Sequence, residues 1–176
     1  MPDFTQRSYD KELLDSDNIP FNDILRNMDE LDIINSRLGG HAITRTGLSS
    51  ILKKFVTSPN KAWLICEIGC GNGNNLSVLH KWCVSRKINA NFIGIDINRH
   101  CIDSADTTKT GGRAKYIVSD YRTVVFDRKP DIIFSSLFSH HFTDEQLIEQ
   151  LQWMKANSRN GFFINDLHRH PLAYHS

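Results

Sequence analysis

From Pro20 onward the apolar positions fall into a helical rhythm. Ile24, Leu25, Met28, Leu31, Ile34 and Leu38 recur every three or four residues and form one stripe of an amphipathic helix. The residues before Pro20 show no such period and read as a loose arm. Gly39 and Gly40 are expected to end this helix through a left-handed cap, because glycine takes positive φ without a Cβ clash. A second helix is expected over Thr46 to Phe55, stopped by the turn Ser58-Pro59-Asn60.

At Lys61 the pattern changes. Short apolar runs now alternate with longer amphipathic stretches, the mark of β-strands joined by crossover helices. Ala62 to Ile68, Phe92 to Ile97, Lys115 to Val118, Asp131 to Ser135 and Phe162 to Leu167 read as five strands. Asn74 to Arg86 carries Leu76, Leu79 and Cys83 on one helical face, and Asn98 to Ala105 reads as a short helix. Thr143 to Gln146 has the form of a capping box and opens a helix through Leu147, Leu151 and Met154, which Gly161 is expected to close. The result is an α/β fold, a Rossmann-like doubly wound sheet, without internal repeats.

Length and composition narrow this further. The 176 residues, 40% hydrophobic and 23% charged, suit one globular unit. Within it, residues 1–60 read as an N-terminal arm with helices that act as a lid, and residues 61–176 as the sheet domain. A chain of this size buries roughly 70% of the surface that its unfolded form exposes, so it needs no disulfide or structural metal. Cys66, Cys70, Cys83 and Cys101 occur singly and read as reduced core residues. Lys and Arg number 21 against 20 Asp and Glu, with both signs scattered, which argues against a nucleic-acid groove or an anionic membrane surface as partner. A small molecule is expected instead. The polar, acidic start of the chain and the absence of any apolar run near the ~18 residues of a membrane span suggest a cytoplasmic location.

The chemistry concentrates where the first strand meets its helix, at Gly69-Cys70-Gly71-Asn72-Gly73. Glycines at this junction let the backbone turn tightly and approach a ligand. Asp96 ends the next strand, where a carboxylate can accept hydrogen bonds from both hydroxyls of a ribose. The dinucleotide fingerprint requires glycine at position 74, which is Asn74. Glu67, two residues before the first glycine, repels a pyrophosphate and attracts an ammonium group. A nucleotide-like ligand with a positive charge satisfies both features.

Glu67-Ile68-Gly69-Cys70-Gly71-Asn72-Gly73, Ile95-Asp96, Ser119-Asp120-Tyr121 and Asp131-Ile132-Ile133-Phe134 together resemble the successive motifs of class I S-adenosylmethionine-dependent methyltransferases. The resemblance runs from about Ala62 to Leu167. It implies S-adenosylmethionine as cofactor. Glu67 and the backbone of Gly69, Cys70, Gly71 and Gly73 would hold its methionine moiety and Asp96 its ribose. Asp120 and Tyr121 would line the adenine edge, with Ile97 as an apolar wall. Ser136 and the residues after it, through His140, His141 and Phe142, fall at the same edge and would border the transferred methyl.

Methyl transfer relies mainly on positioning, and a protein base is optional. If the acceptor is a phenol or another hydroxyl compound, His140 or His141 is the candidate base. Asp166 and His168 could line the acceptor pocket, and Arg45 could meet the cofactor's carboxylate. A metal site from His140, His168 and His170 is disfavoured. Phe138 and Phe142 suit a flat, weakly acidic acceptor, so O-methylation of a phenolic or polyketide-like compound is the expected reaction. A nicotinamide-dependent oxidoreductase is the alternative, as is a cofactor-binding protein without turnover.

The family's fold continues past strand five with a helix and an antiparallel strand pair, whereas this sequence ends at Ser176. With the family's strand order 3-2-1-4-5, strand five is expected to be an exposed edge and to pair with a second copy as a homodimer.

Overall fold

The structure is a computed structural model and describes residues 39–55 and 61–166. The arm, the helix predicted up to Leu38, the Ser58-Pro59-Asn60 turn, Leu167 and the histidines at 168, 170 and 175 lie outside the described residues.

Five strands form one parallel sheet: β1 (Trp63–Ile68), β2 (Ala90–Asp96), β3 (Ala114–Val118), β4 (Ile132–Ser136) and β5 (Gly161–Asn165). Their order is β3-β2-β1-β4-β5, with Ile65 opposite both Phe92 and Ile132 in the register. The central strands β1 and β4 are buried on both faces, as an all-parallel sheet requires. This is the doubly wound order expected from the sequence. Among the described residues the α-helices are α1 (Gly40–Leu52), α2 (Asn74–Ser85), α3 (Arg99–Asp103) and α4 (Asp144–Asn157).

Strand alternation divides the core in two. One face of the sheet gives Trp63, Ile65, Phe92, Ala114, Ile132 and Phe134 to a cluster closed by Leu48 of α1 and Leu76, Leu79 and Cys83 of α2. The other gives Cys66, Ile68, Ile95 and Ile133 to a cluster closed by Tyr121 and Met154 of α4. Phe163 stacks on Phe134 with ring centroids 5.2 Å apart, and α1 lies close over it at Gly47, where a Cβ would stand 2.7 Å from the Phe163 ring.

Several boundaries differ from the sequence reading. Gly39 is left-handed at φ 85°, but Gly40, expected in the helix terminator, is the first residue of α1. The predicted Thr46 to Phe55 helix thus begins six residues earlier and stops at Leu52. Gly161 does not close α4. That helix ends at Asn157 with Ser158 as its cap, and Gly161 opens β5. The capping box is formed as expected: Gln146 N–H donates to Thr143 Oγ1 at 3.3 Å, and Thr143 N–H donates to Gln146 Oε1 at 2.9 Å.

A polar staple that the sequence reading missed fixes the amino-terminal edge of the sheet. Buried Asp131 accepts from Leu64 N–H at 2.9 Å, from Arg128 at 2.5 Å and from Arg159 at 3.2 Å, tying β1, β4 and the chain entering β5.

Candidate functional site

At the opposite, carboxyl edge, β1 and β2 are paired through to Ile68 and Ile95, so Glu67 and Asp96 end up on adjacent strands. Glu67 shares the α1 and α2 side of the sheet with Trp63 and Ile65, because side chains two apart on a strand share a face. It is buried. Its Oε1 accepts from the Asn75 side-chain amide at 2.7 Å, and Asn75 Oδ1 lies 3.2 Å from Nδ1 of buried His41 on α1. Glu67 Oε2 is buried with no hydrogen-bond partner among the described residues. Burial pushes the Glu67 carboxyl up to about 8; the Asn75 hydrogen bond offsets part of this and nearby Asp96 adds to it.

An orphaned carboxylate oxygen in a buried place is costly, and a cationic donor is what relieves it. Burial also raises Asp96, against the opposing effect of backbone N–H donors from Asn98, Gly71 and Ile97.

The glycine loop is organised differently from a phosphate cradle. Gly69 and Cys70 donate to Ile95 O at 2.8 and 3.2 Å, Gly71 donates to Asp96 Oδ2 at 2.8 Å, and Gly73 donates to Cys70 O at 3.0 Å. These N–H groups are spent on the protein itself, and two carboxylates stand where an anion would need donors. The glycines at either end of the loop are required by packing as well as by turning. A Cβ on Gly69 would lie 2.3 Å from the Phe138 ring, and one on Gly73 would lie 2.3 Å from the Tyr116 hydroxyl. Both have positive φ, 68° and 75°. Cys70 turns its buried side chain inward, its Sγ lying against Gly94 of β2, so only its backbone is available to a ligand.

The remaining residues singled out from the sequence separate into two groups. Asp96 also accepts from Asn98 N–H at 2.8 Å, and Ile97 beside it is 73% exposed, an open apolar surface next to the carboxylate. Ser136 Oγ, at the end of β4, accepts from Asn165 at 3.2 Å. His140 Nδ1 lies 2.6 Å from Asp166 Oδ1, and the rings of His140 and His141 are 4.3 Å apart. These residues share the carboxyl edge with Glu67 and the loop.

Tyr121 does not line the edge. Its ring is buried in the α4 core, edge-on to Trp153 at 5.0 Å and to Phe138 at 6.3 Å, because the short helical turn at Tyr121–Thr123 points it under the sheet. Asp120 is held by Arg122, whose Nε and Nη2 donate to both carboxylate oxygens at 2.5 to 3.1 Å. That guanidinium keeps the Asp120 carboxyl below the usual range. Arg45, expected to reach a cofactor carboxylate, donates through Nε to His41 O of its own helix at 3.2 Å.

Asn75 and His41 are the partners that sequence reasoning left without a role. Asn75 stands in the first turn of α2, eight positions after Glu67, and a paired amide there is the only signal that the sequence offered. A separate cavity of about 390 Å³ opens at the amino-terminal side of β1, β2 and β3, between Leu64, Ile93, Ile117 and Val125, away from these groups.

Residues 65–161 match the family model of the methyltransferase domain. The chain belongs to the class I S-adenosylmethionine-dependent methyltransferases. The match covers both strand ends, the glycine loop and the capping box, and with the donor-poor loop it leaves the oxidoreductase reading without support. Among solved structures, the plantazolicin methyltransferase BpumL, in complex with a pentazolic desmethylPZN analogue and SAH, is 25% identical with a TM-score of 0.60. That alignment covers 83% of this chain and 52% of BpumL, so the chain spans about half the length of that methyltransferase.

Magnesium protoporphyrin IX methyltransferase (ChlM) from Synechocystis PCC 6803, with bound SAM, is 14% identical over 81% of this chain and 74% of its own, with a TM-score of 0.56. DhpI in complex with SAH is 15% identical over 74% and 57% of the two chains, with a TM-score of 0.54. These last two share the fold. No curated protein matches the sequence. Among the described residues, no helix is long and apolar enough to cross a membrane.

Proposed function

We propose that this methyltransferase domain binds S-adenosylmethionine at the carboxyl edge of β1 and β2 and transfers its methyl group to a small molecule. The observation that carries the reading is the buried, unpartnered Glu67 Oε2 beneath a loop whose N–H groups are already spent. Such a site suits an amino acid's ammonium group and disfavours a pyrophosphate. The SAH held by BpumL supports it by similarity.

In this reading Glu67, oriented by Asn75, binds the ammonium group, and the backbone from Gly69 to Gly73 shapes the passage beside it. Asp96 accepts from the ribose hydroxyls, with Ile97 as the apolar wall of the adenine. Asp120 contributes at the adenine edge while paired to Arg122, and the Tyr121 backbone lies beside it. Ser136 stands at the methyl end. The sulfonium supplies an already activated methyl carbon, so the residues at the edge need mainly to orient an acceptor and exclude water.

For the acceptor we infer a phenolic or polyketide-like hydroxyl compound, with His140 or His141 taking its proton. Support comes from the aromatic and imidazole groups gathered there: the Phe138 ring lies 4.9 Å from that of Phe142 and 6.4 Å from that of His141 by centroid. We propose residues 1–60 as a lid over this edge, β5 as a homodimer edge, and a cytoplasmic setting without nucleic-acid partners.

Isothermal titration tests the core of the reading. S-adenosylhomocysteine should bind in the micromolar range and NAD should not. Binding of NAD alone, or of neither, would refute it. A methyl-transfer screen tests the acceptor, and transfer to RNA or protein with none to small phenols would refute that part.

A further inference from the structure

Past the end of β4 the chain takes an unusual course. Leu137 has φ 52°, in the left-handed region that non-glycine residues avoid, and its N–H donates to Asn165 O at 2.9 Å. Strain of this kind persists only where the surroundings fix it, and it gathers at functional sites. Here it turns the backbone so that Phe138 covers Gly69 and the helical turn Ser139–His141 comes to face the end of β5.

Both supports of that turn are tied down by buried polar groups. Ser139 Oγ lies 3.0 Å from Ser135 Oγ on β4 and donates to Gln150 Oε1 of α4 at 2.7 Å. Opposite, the Asn165 amide donates to Thr44 Oγ1 at 2.8 Å, Gly40 O at 3.1 Å and Ser136 Oγ at 3.2 Å, which binds α1, β4 and β5 together. His140 follows the first anchor and Asp166 follows the second. Their meeting at 2.6 Å, with side chains 22% and 17% exposed, is therefore set by two rigid elements rather than by a mobile surface.

We infer that Asp166 is a positioning residue that accepts the Nδ1–H of His140, fixes the tautomer with its lone pair on Nε2, and so makes His140 rather than His141 the base for an acceptor hydroxyl. This rests on the methyl-transfer reading above. A carboxylate on one ring nitrogen orients the imidazole and stabilises the imidazolium that forms. The ring of His141 lies 4.3 Å from that of His140, and two adjacent imidazolium charges oppose each other, so the ring that the carboxylate stabilises is the one that takes the proton. As the acceptor oxygen forms its bond to the methyl carbon, its proton passes to Nε2. The electron pair of the breaking carbon–sulfur bond stays on sulfur, giving the methyl ether, neutral S-adenosylhomocysteine and imidazolium. The imidazolium then returns its proton to water. Phenols, more acidic than alkyl alcohols, are the hydroxyls that one imidazole can deprotonate in step with transfer.

Nitrogen-15 imidazole spectra of the whole protein, wild type and Asp166→Asn, read the tautomer without any turnover. Expected are an Nδ1–H tautomer for neutral His140 in the wild type and a titration midpoint about one pH unit lower in Asp166→Asn. In parallel, His140→Gln and Asp166→Asn should each lower kcat for phenol methylation roughly 10²- to 10⁴-fold, Asp166→Glu should recover part of it, and His141→Gln should change it less than His140→Gln. An Nε2–H tautomer in the wild type, or a midpoint unmoved by Asp166→Asn, would overturn the inference. So would loss of thermal stability or of S-adenosylhomocysteine affinity in step with activity, since that marks a purely structural contact. If the wild type does not bind S-adenosylhomocysteine, the methyl-transfer reading falls and His140 loses its role as base, while the tautomer result still reports on the pair.

Discussion

Glu67 gives the sharpest quantitative expectation, and the perturbation is pH. With its carboxyl raised from 4.5 to about 8 by burial, the residue is mostly protonated at pH 7 when no ligand is present. An ammonium ligand requires the carboxylate, so binding must release that proton. Each pH unit below 8 then costs about 1.4 kcal/mol, or a factor of about ten in apparent affinity. The ligand's own α-amino group is that of a free amino acid, more basic than a peptide N-terminus at ~7.7, so it keeps its charge across this range.

Affinity should therefore rise by nearly tenfold from pH 6 to 7 and level off above about 8, with about 0.9 proton released per site at pH 7. Titration of S-adenosylhomocysteine in buffers of different ionisation enthalpy measures both quantities. A dissociation constant flat from pH 6 to 8 with no proton release would refute the assignment of Glu67 to the ammonium.

The same burial has a cost for the ligand-free fold, and its sign is fixed by linkage. The native state holds this proton more tightly than the unfolded chain does. Stability is thus greatest below pH 4.5 as far as this group is concerned, and is lost as pH rises through about 8. The loss amounts to roughly 5 kcal/mol across that window. Glu67→Gln keeps the acceptor for Asn75 and removes the charge, so the variant should melt higher than wild type at pH 8 while binding S-adenosylhomocysteine worse. A variant that melts lower at that pH would show that the carboxylate is solvated after all.

Asp96→Ala should weaken S-adenosylhomocysteine binding by about 1 to 3 kcal/mol, through loss of the ribose acceptor and of the loop contacts to Gly71 and Asn98; unchanged calorimetric affinity in a folded variant removes it from the site. Gly73→Ala should destabilise by about 2 to 4 kcal/mol, combining left-handed strain with a collision at the Tyr116 hydroxyl. Tyr116→Phe removes that buried hydroxyl, which has no hydrogen-bond partner among the described residues, and should restore part of the loss in denaturant melts; no recovery would assign the cost to φ alone. Light scattering at micromolar concentration should report a homodimer, and a stable monomer would refute pairing through β5.

The order of elements was legible because burial writes itself into sequence: strands β1 and β4 are covered on both faces and read as unbroken apolar runs, and the Thr143 to Gln146 box announces α4 by local chemistry alone. The identities of the two carboxylates were legible too, since a charge inside an apolar strand end stands out. What these residues meet was not. That Glu67 meets Asn75, that Asp166 lies against His140, and that Asp131 ties Arg159 to β1 depend on positions 8 to 67 residues apart along the chain.

Local pattern also misled where two outcomes share one motif. Gly39 and Gly40 punctuate the chain whether a helix ends or begins there, and Tyr121 after a strand reads the same whether its ring faces the crevice or the core. Only the close packing of Phe138, Phe142 and Trp153 decided the second case. Local sequence sets which backbone conformations are cheap, but the direction in which a side chain is aimed is settled by what fills the space around it, and that space exists only once distant segments have met.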